Sequence, residues 1–130
     1  MVEFALVLPV LLLVLLAIMK FGLLFENYLT LTDAVRSGAR TLAIGRGTPN
    51  ACTPAVLQVQ NSATGLNQAT LSVPTPSQAN GGLTTPDTCT SLTSGNAVTI
   101  TASYPCDLSI MGINFVPSCK LNVSATERVE

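Results

Sequence analysis

The run Phe4–Phe25, FALVLPVLLLVLLAIMKFGLLF, decides the reading: 22 residues with Lys20 as the only charge. As a helix at ~1.5 Å per residue it would span ~33 Å, close to the ~30 Å hydrocarbon core of a bilayer. A secretory signal peptide opens on basic residues, carries a shorter apolar run and closes on a small-x-small cleavage site. Here the start carries Glu3, and no such site ends the run. A buried core helix is disfavoured by the length. The expectation is a retained membrane-spanning helix.

Several residues in or beside this run are unusual for an inert anchor. Pro9 lacks an amide hydrogen and crowds the carbonyl four residues back, so a kink or a lost hydrogen bond is expected there. Gly22 is a second soft point. Lys20 lies near the far end, where its long stem can carry the ammonium to the interface. Glu3 has two readings: a carboxylate favoured by the helix macrodipole, or a partner for a positive group on another subunit when helices bundle.

Outward from the run, Glu26 to Gly45 is expected to continue the helix with a different surface. Leu31, Val35 and Leu42 recur at helical spacing with Ala34 and Ala39 beside them, and Asp33, Arg36 and Arg40 take the polar side. Ser37, Gly38 and Ala39 are small enough for a neighbour's backbone to come close. Gly45 and Gly47, followed by Pro49, mark the stop. The division expected is residues 1–27 as membrane or filament-core helix, 28–45 as its amphipathic continuation, and 46–130 as an exported globular domain rich in β-structure.

In that last part Thr53-Pro54 reads as a cap with proline at the first helical position, opening a short helix Ala55 to Gly65 with Val56, Val59 and Ala63 inward. Alternation predicts strands at Ala69 to Val73, Ala97 to Tyr104 and Lys120 to Val129. Pro74 to Asn96 reads as a loop without regular structure. Pro105 to Ser118 reads as a second connection, and Leu108, Ile110, Met111, Ile113, Phe115 and Val116 make it oddly apolar. It either folds over the sheet or offers a contact surface to another subunit.

Cys52, Cys89, Cys106 and Cys119 contain no C-x-x-C pair, and the chain has no histidine, so metal ligation has little support. Four cysteines allow three connectivities. Cys106 and Cys119 bracket the apolar connection between two predicted strands, which brings them together and leaves Cys52 with Cys89. Each bridge would add ~2–4 kcal/mol to a small core. The fold class expected is α+β: a long N-terminal hydrophobic helix carrying a small disulfide-stapled domain with a short helix and a small antiparallel sheet, a lollipop in outline.

Composition narrows function. The 130 residues include no His and no Trp, so there is no Ser-His-Asp or Cys-His couple and no imidazole base. Asp33, Asp87 and Asp107 stand in unlike contexts, no acid/base pair or cofactor site can be assembled, and no enzyme is expected. Six basic against seven acidic residues leave no footprint for a nucleic-acid backbone.

Orientation poses a conflict. Lys20 near the end of the apolar run and Arg36, Arg40 and Arg46 after it would, by the positive-inside rule, hold the C-terminal part in the cytoplasm. Four cysteines and the acceptor pattern Asn122-Val123-Ser124, a candidate glycosylation site, argue for export. A short basic leader removed by processing resolves this, so a processed chain is expected.

The start Val2-Glu3-Phe4-Ala5-Leu6-Val7-Leu8-Pro9 with its leucine run, Phe21-Gly22, the segment Ala34-Val35-Arg36-Ser37-Gly38-Ala39-Arg40 and the closing Arg128-Val129-Glu130 resemble the TadE-like family. Its members are pilin-like proteins of tight-adherence (Tad) pilus systems, a branch of the type IV pilin superfamily. The match is specific over the first 45 residues and weak beyond them. The resemblance implies a leader cut by a prepilin peptidase, anchorage in the cytoplasmic membrane before assembly, and work with the pilus assembly machinery. It also implies that Glu3 engages a neighbour's N-terminal amine. The residues expected to serve assembly are Glu3, Phe4, Pro9, Lys20, Gly22, Arg36 and Arg40. In pilins that glutamate is usually the fifth residue after cleavage, whereas here it is the third. Either two residues precede the first one, or cleavage is displaced, or Met1 is an initiator.

Two functions follow. The first is a structural pilin-like subunit that polymerises with copies of itself, through its helix, into an extracellular type IV-like filament at the cell surface. The second is a membrane-anchored minor pseudopilin, an assembly or adhesion factor of such a system.

Overall fold

The computed structural model describes residues 2–78, 92, 94–106, 109–110, 113–114 and 116–130, with only the backbone course at residues 2, 3, 5, 110, 113 and 114. Helix α1, Val2–Ile44, is continuous over 43 residues, about 65 Å at 1.5 Å per residue. The chain stays helical across Pro9; Leu, Ala and Met on either side are strong helix formers. The helix stops where the sequence places its glycines. The Gly45 amide donates to the Thr41 and Leu42 carbonyls, both at 3.1 Å, and Gly47 takes a left-handed φ of 81°.

Along α1 the surroundings change at Leu31. From there Leu31, Ala34, Val35, Ala39 and Leu42 are fully buried, as their spacing predicts, while Asp33, Arg36 and Arg40 are exposed. What covers them is helix α2, Cys52–Ser62, and one face of a sheet. The helices meet at Gly38. A β-carbon there would overlap the Val59 side chain and stand 3.0 Å from the Ala55 carbonyl oxygen and 3.6 Å from Ile100 Cδ1. Beside this crossing the Gln58 amide donates to Ser37 Oγ at 3.1 Å.

Helix α2 begins and ends earlier than the sequence suggests. Its N-cap is Ala51, which makes no side-chain capping bond, and Thr53 and Pro54 lie inside the first turn. Proline is tolerated anywhere in that turn, because its amides have no intrahelical acceptor. Burial of Ala51 and Cys52 sets the start instead. At the far end the Gln68 side-chain amide donates to the Gln60 and Ala63 carbonyls, at 2.9 and 3.2 Å. Cys52, Ala55, Val59 and Ala63 face inward, and Val56 is half-buried.

The sheet is antiparallel with order β1-β2-β5, formed by β1 (Ser77–Gln78), β2 (Ala97–Pro105) and β5 (Lys120–Arg128). Strands β2 and β5 pair over nine residues, from Ala97 opposite Arg128 to Pro105 opposite Lys120. Alternation separates the faces: Val98, Ile100, Ala102 and Val123 are buried, while Thr101, Asn122, Ser124 and Thr126 are exposed.

The third strand is not the Ala69 to Val73 segment. Residues there form a turn organised by Asn67, whose side chain accepts from the Ala69 amide at 3.0 Å, and only Ser72 bridges to Ser103. Pro74 and Pro76 then interrupt the ladder for want of amide hydrogens, and pairing with β2 resumes at Ser77 and Gln78, inside the stretch read as a loop. The segment 105–118 likewise holds structure the sequence reading missed: β3 (Ser109–Ile110) and β4 (Ile113–Asn114) form a short hairpin.

Candidate functional site

Among the described residues no three or more His, Cys, Asp or Glu side chains are placed to hold a metal ion. The informative surfaces lie on α1 and at the end of the sheet nearest its apolar half.

The apolar half of α1 is bare. Leu6–Ile44 contains a stretch long and apolar enough to cross a membrane, none of it buried in the monomer. Phe4, Val7, Leu8 and Leu11, at i, i+3, i+4 and i+7, frame an apolar groove of about 370 Å³. Four positions at that spacing are the hole into which a side chain of an adjacent helix inserts. Pro9 lies beside it on the same turns, Gly22 meets only open space, and residue 3 sits in the first turn of the helix.

From within the apolar run to just beyond it, one apolar stripe continues uncovered. Ile18, Phe21, Phe25 and Tyr28 are between 41% and 64% exposed, and the Phe25 and Tyr28 rings are 6.5 Å apart. About two turns further on, the exposed positions become Arg36 and Arg40. The structure therefore sets these two arginines beyond the apolar stripe, well apart from Phe4, Pro9 and Gly22.

Lys20 is placed differently from the other residues of the run. It is half-buried and lines a cavity of about 200 Å³ with Leu23, Leu24, Asn27, Tyr104, Pro105 and Cys106. The lower end of the sheet thus abuts α1 at the level of Lys20. Tyr104 is held there by its hydroxyl, which accepts from the Asn67 amide at 3.3 Å. Next to it Cys106 and Cys119 are joined, with Cα atoms 5.2 Å apart, and the Cys106 amide donates to the Cys119 carbonyl at 3.1 Å. Cys52 is disulfide-bonded as well; Cys89, the partner the sequence reading gives it, lies outside the described residues. Asn122 is exposed on the outer face of β5, opposite Ser103.

Sequence reasoning could not place Lys20 and Tyr104 around one cavity, because that placement depends on β2 running antiparallel to α1. The only signal in the sequence was a lone cation inside an apolar run.

The family model described as TadE-like protein matches residues 1–40, the stretch that carries the motifs read above apart from the closing Arg128-Val129-Glu130. No curated protein and no solved structure matches the chain. The match and the long apolar helix together fit a pilin-like protein associated with Tad pili.

Proposed function

We propose that this chain is the repeating structural subunit of a Tad-type filament, polymerising through α1. The observation that carries this reading is the stripe Ile18, Phe21, Phe25 and Tyr28: apolar, exposed, and continuing past the level at which the chain's own domain begins. A simple anchor has no need of such a stripe there. A polymer does, because each subunit leaving the bilayer must exchange lipid for copies of itself. Burying one Leu, Val or Phe is worth ~1.5–3 kcal/mol relative to water, and the run holds more than a dozen such residues.

In this reading residues 1–27 form the filament core, 28–45 join core to coat, and 46–130 form the coat, to which Leu31–Ala43 lend their buried face. Contacts between unlike surfaces of successive copies do not close, and they generate a helix of indefinite length. Glu3 neutralises a neighbour's terminal amine, and Cys52 pairs with Cys89. Asn122 is open to glycosylation. A prepilin peptidase and the assembly machinery act on the subunit at the cytoplasmic membrane, and its role is structural, without catalysis.

Deleting residues 4–25 tests the reading. The fragment should fold, form its disulfides and stay monomeric; a fragment that still polymerises contradicts the helix as assembly core.

A further inference from the structure

Lys20 is the only charge between residues 4 and 25, and no carboxylate lies within four residues of it on its own helix. Among the described residues no ion pair or hydrogen bond engages its ammonium. A half-buried cation needs either a route to water or an anion that comes to it. Lys20 instead borders a cavity built from two elements. Lys20, Leu23, Leu24 and Asn27, at i, i+3, i+4 and i+7, form its helix side, and Tyr104, Pro105 and Cys106, where β2 ends, form the other.

The chemistry of the lining narrows what fits. The volume, about 200 Å³, lies below the ~300 Å³ at which pockets for drug-sized ligands begin, so the space suits a compact group. The helix side carries a donor at each end, the Lys20 ammonium with three N–H bonds and the Asn27 side-chain amide, with two leucines between them. A small anion with several acceptor oxygens, as in a phosphate group, answers both donors.

The position along α1 points to the source of that phosphate. From Val2 to Lys20 the helix rises ~27 Å, near the ~30 Å hydrocarbon thickness, so a bilayer spanned by α1 places headgroups at the level of the cavity. The sheet reaches the same level. Ile100 lies beside Gly38, and Cys106 shares the cavity with Leu24. The six strand residues between Ile100 and Cys106 cover ~20 Å, and the 14 helix residues from Leu24 to Gly38 cover ~21 Å. One and two turns below Lys20 on the same face stand Leu16 and Leu13, half-buried and exposed, with nothing polar beside them on that face.

We propose that this cavity binds the phosphate of an anionic phospholipid, with Lys20 and Asn27 donating to its oxygens and an acyl chain lying along Leu16 and Leu13. This rests on the reading of α1 as a membrane span before assembly. It goes beyond snorkelling, which needs only the lysine's apolar stem and is indifferent to Asn27.

Native mass spectrometry of the full-length protein, released from micelles holding equal amounts of phosphatidylglycerol and phosphatidylcholine, counts the lipid retained. One phosphatidylglycerol should stay bound in preference to phosphatidylcholine. Lys20→Gln and Asn27→Leu should each weaken that binding about tenfold or more, as the loss of a charge-assisted hydrogen bond does, and either variant carries the test if the other does not accumulate. Lys120→Gln removes a cation across the ladder from Pro105 but not from the cavity lining, and should change nothing. Equal retention of the two lipids, or equal loss from Lys120→Gln, overturns the site by showing general attraction to the surface. Inorganic phosphate at the lipid's concentration should not displace the lipid; displacement overturns the lipid as the source of the phosphate. The chain has no tryptophan, so Leu12→Trp in vesicles of the same two lipids, quenched by bromines deep in the acyl chains, reports the span separately. Quenching without lipid preference overturns the cavity site alone, and absence of quenching removes the span and the site together.

Discussion

Gly38 and Ala55 approach so closely that a β-carbon on the first would stand 3.0 Å from the carbonyl oxygen of the second, with the Val59 side chain already filling the remaining space. The packing of α2 on α1 depends on the missing side chain. Gly38→Ala should destabilise the domain by ~1–3 kcal/mol, the usual cost of overfilling a packed site, although alanine is the better helix former. Urea unfolding of the fragment beginning at Glu26 measures it. A more stable Gly38→Ala fragment would mean that the helices are not held at this distance.

The Cys106–Cys119 bridge spans 13 positions of sequence. A loop of about that size loses ~3 kcal/mol of chain entropy on closure. Replacing both cysteines with serine should lower stability by ~2–3 kcal/mol and leave the β2–β5 ladder formed. A non-reducing digest of native protein should yield this linked pair together with Cys52 linked to Cys89. Free thiols at all four positions would remove the exported placement.

Much of the helix and the long ladder was legible in the sequence. The apolar run, the Leu31 to Leu42 spacing and the glycines after Ile44 are local signals, and β2 and β5 alternate cleanly. The strand at Ala69 to Val73 was misread because alternation there survives without a ladder: Asn67 turns the chain, and two prolines displace pairing to Ser77. The β3–β4 hairpin escaped notice because Ile110, Met111 and Ile113 do not alternate with polar residues. The start of α2 depends on Ala51 being buried, a tertiary fact that Thr53-Pro54 could not announce.

The exposed stripe can be separated from the fold. Phe21→Asp or Phe25→Asp changes a residue that the domain does not cover, so the domain of the full-length protein has no reason to weaken. Filament yield should fall by an order of magnitude or more, because each copy would carry a charge into an apolar contact at several kcal/mol. Wild-type yield from both substitutions would exclude the stripe as an interface.

Glu3→Ala should stop assembly and spare membrane insertion, since it leaves a neighbour's amine buried without a partner, at ~3–5 kcal/mol. Fractionation of cells separates the two: full membrane content with no sheared filament is expected. Filaments in normal amount would leave Glu3 only its favourable place at a helix N-terminus.

The most direct measurement is an electron cryomicroscopy reconstruction of sheared surface filaments from cells producing this chain. The account predicts a helical array in which α1 of every copy lies in the core, Ile18, Phe21, Phe25 and Tyr28 are buried against other copies, and the disulfide-closed domain forms the outside. Filaments built from another protein, or from this one with the apolar helix outside the core, would contradict it.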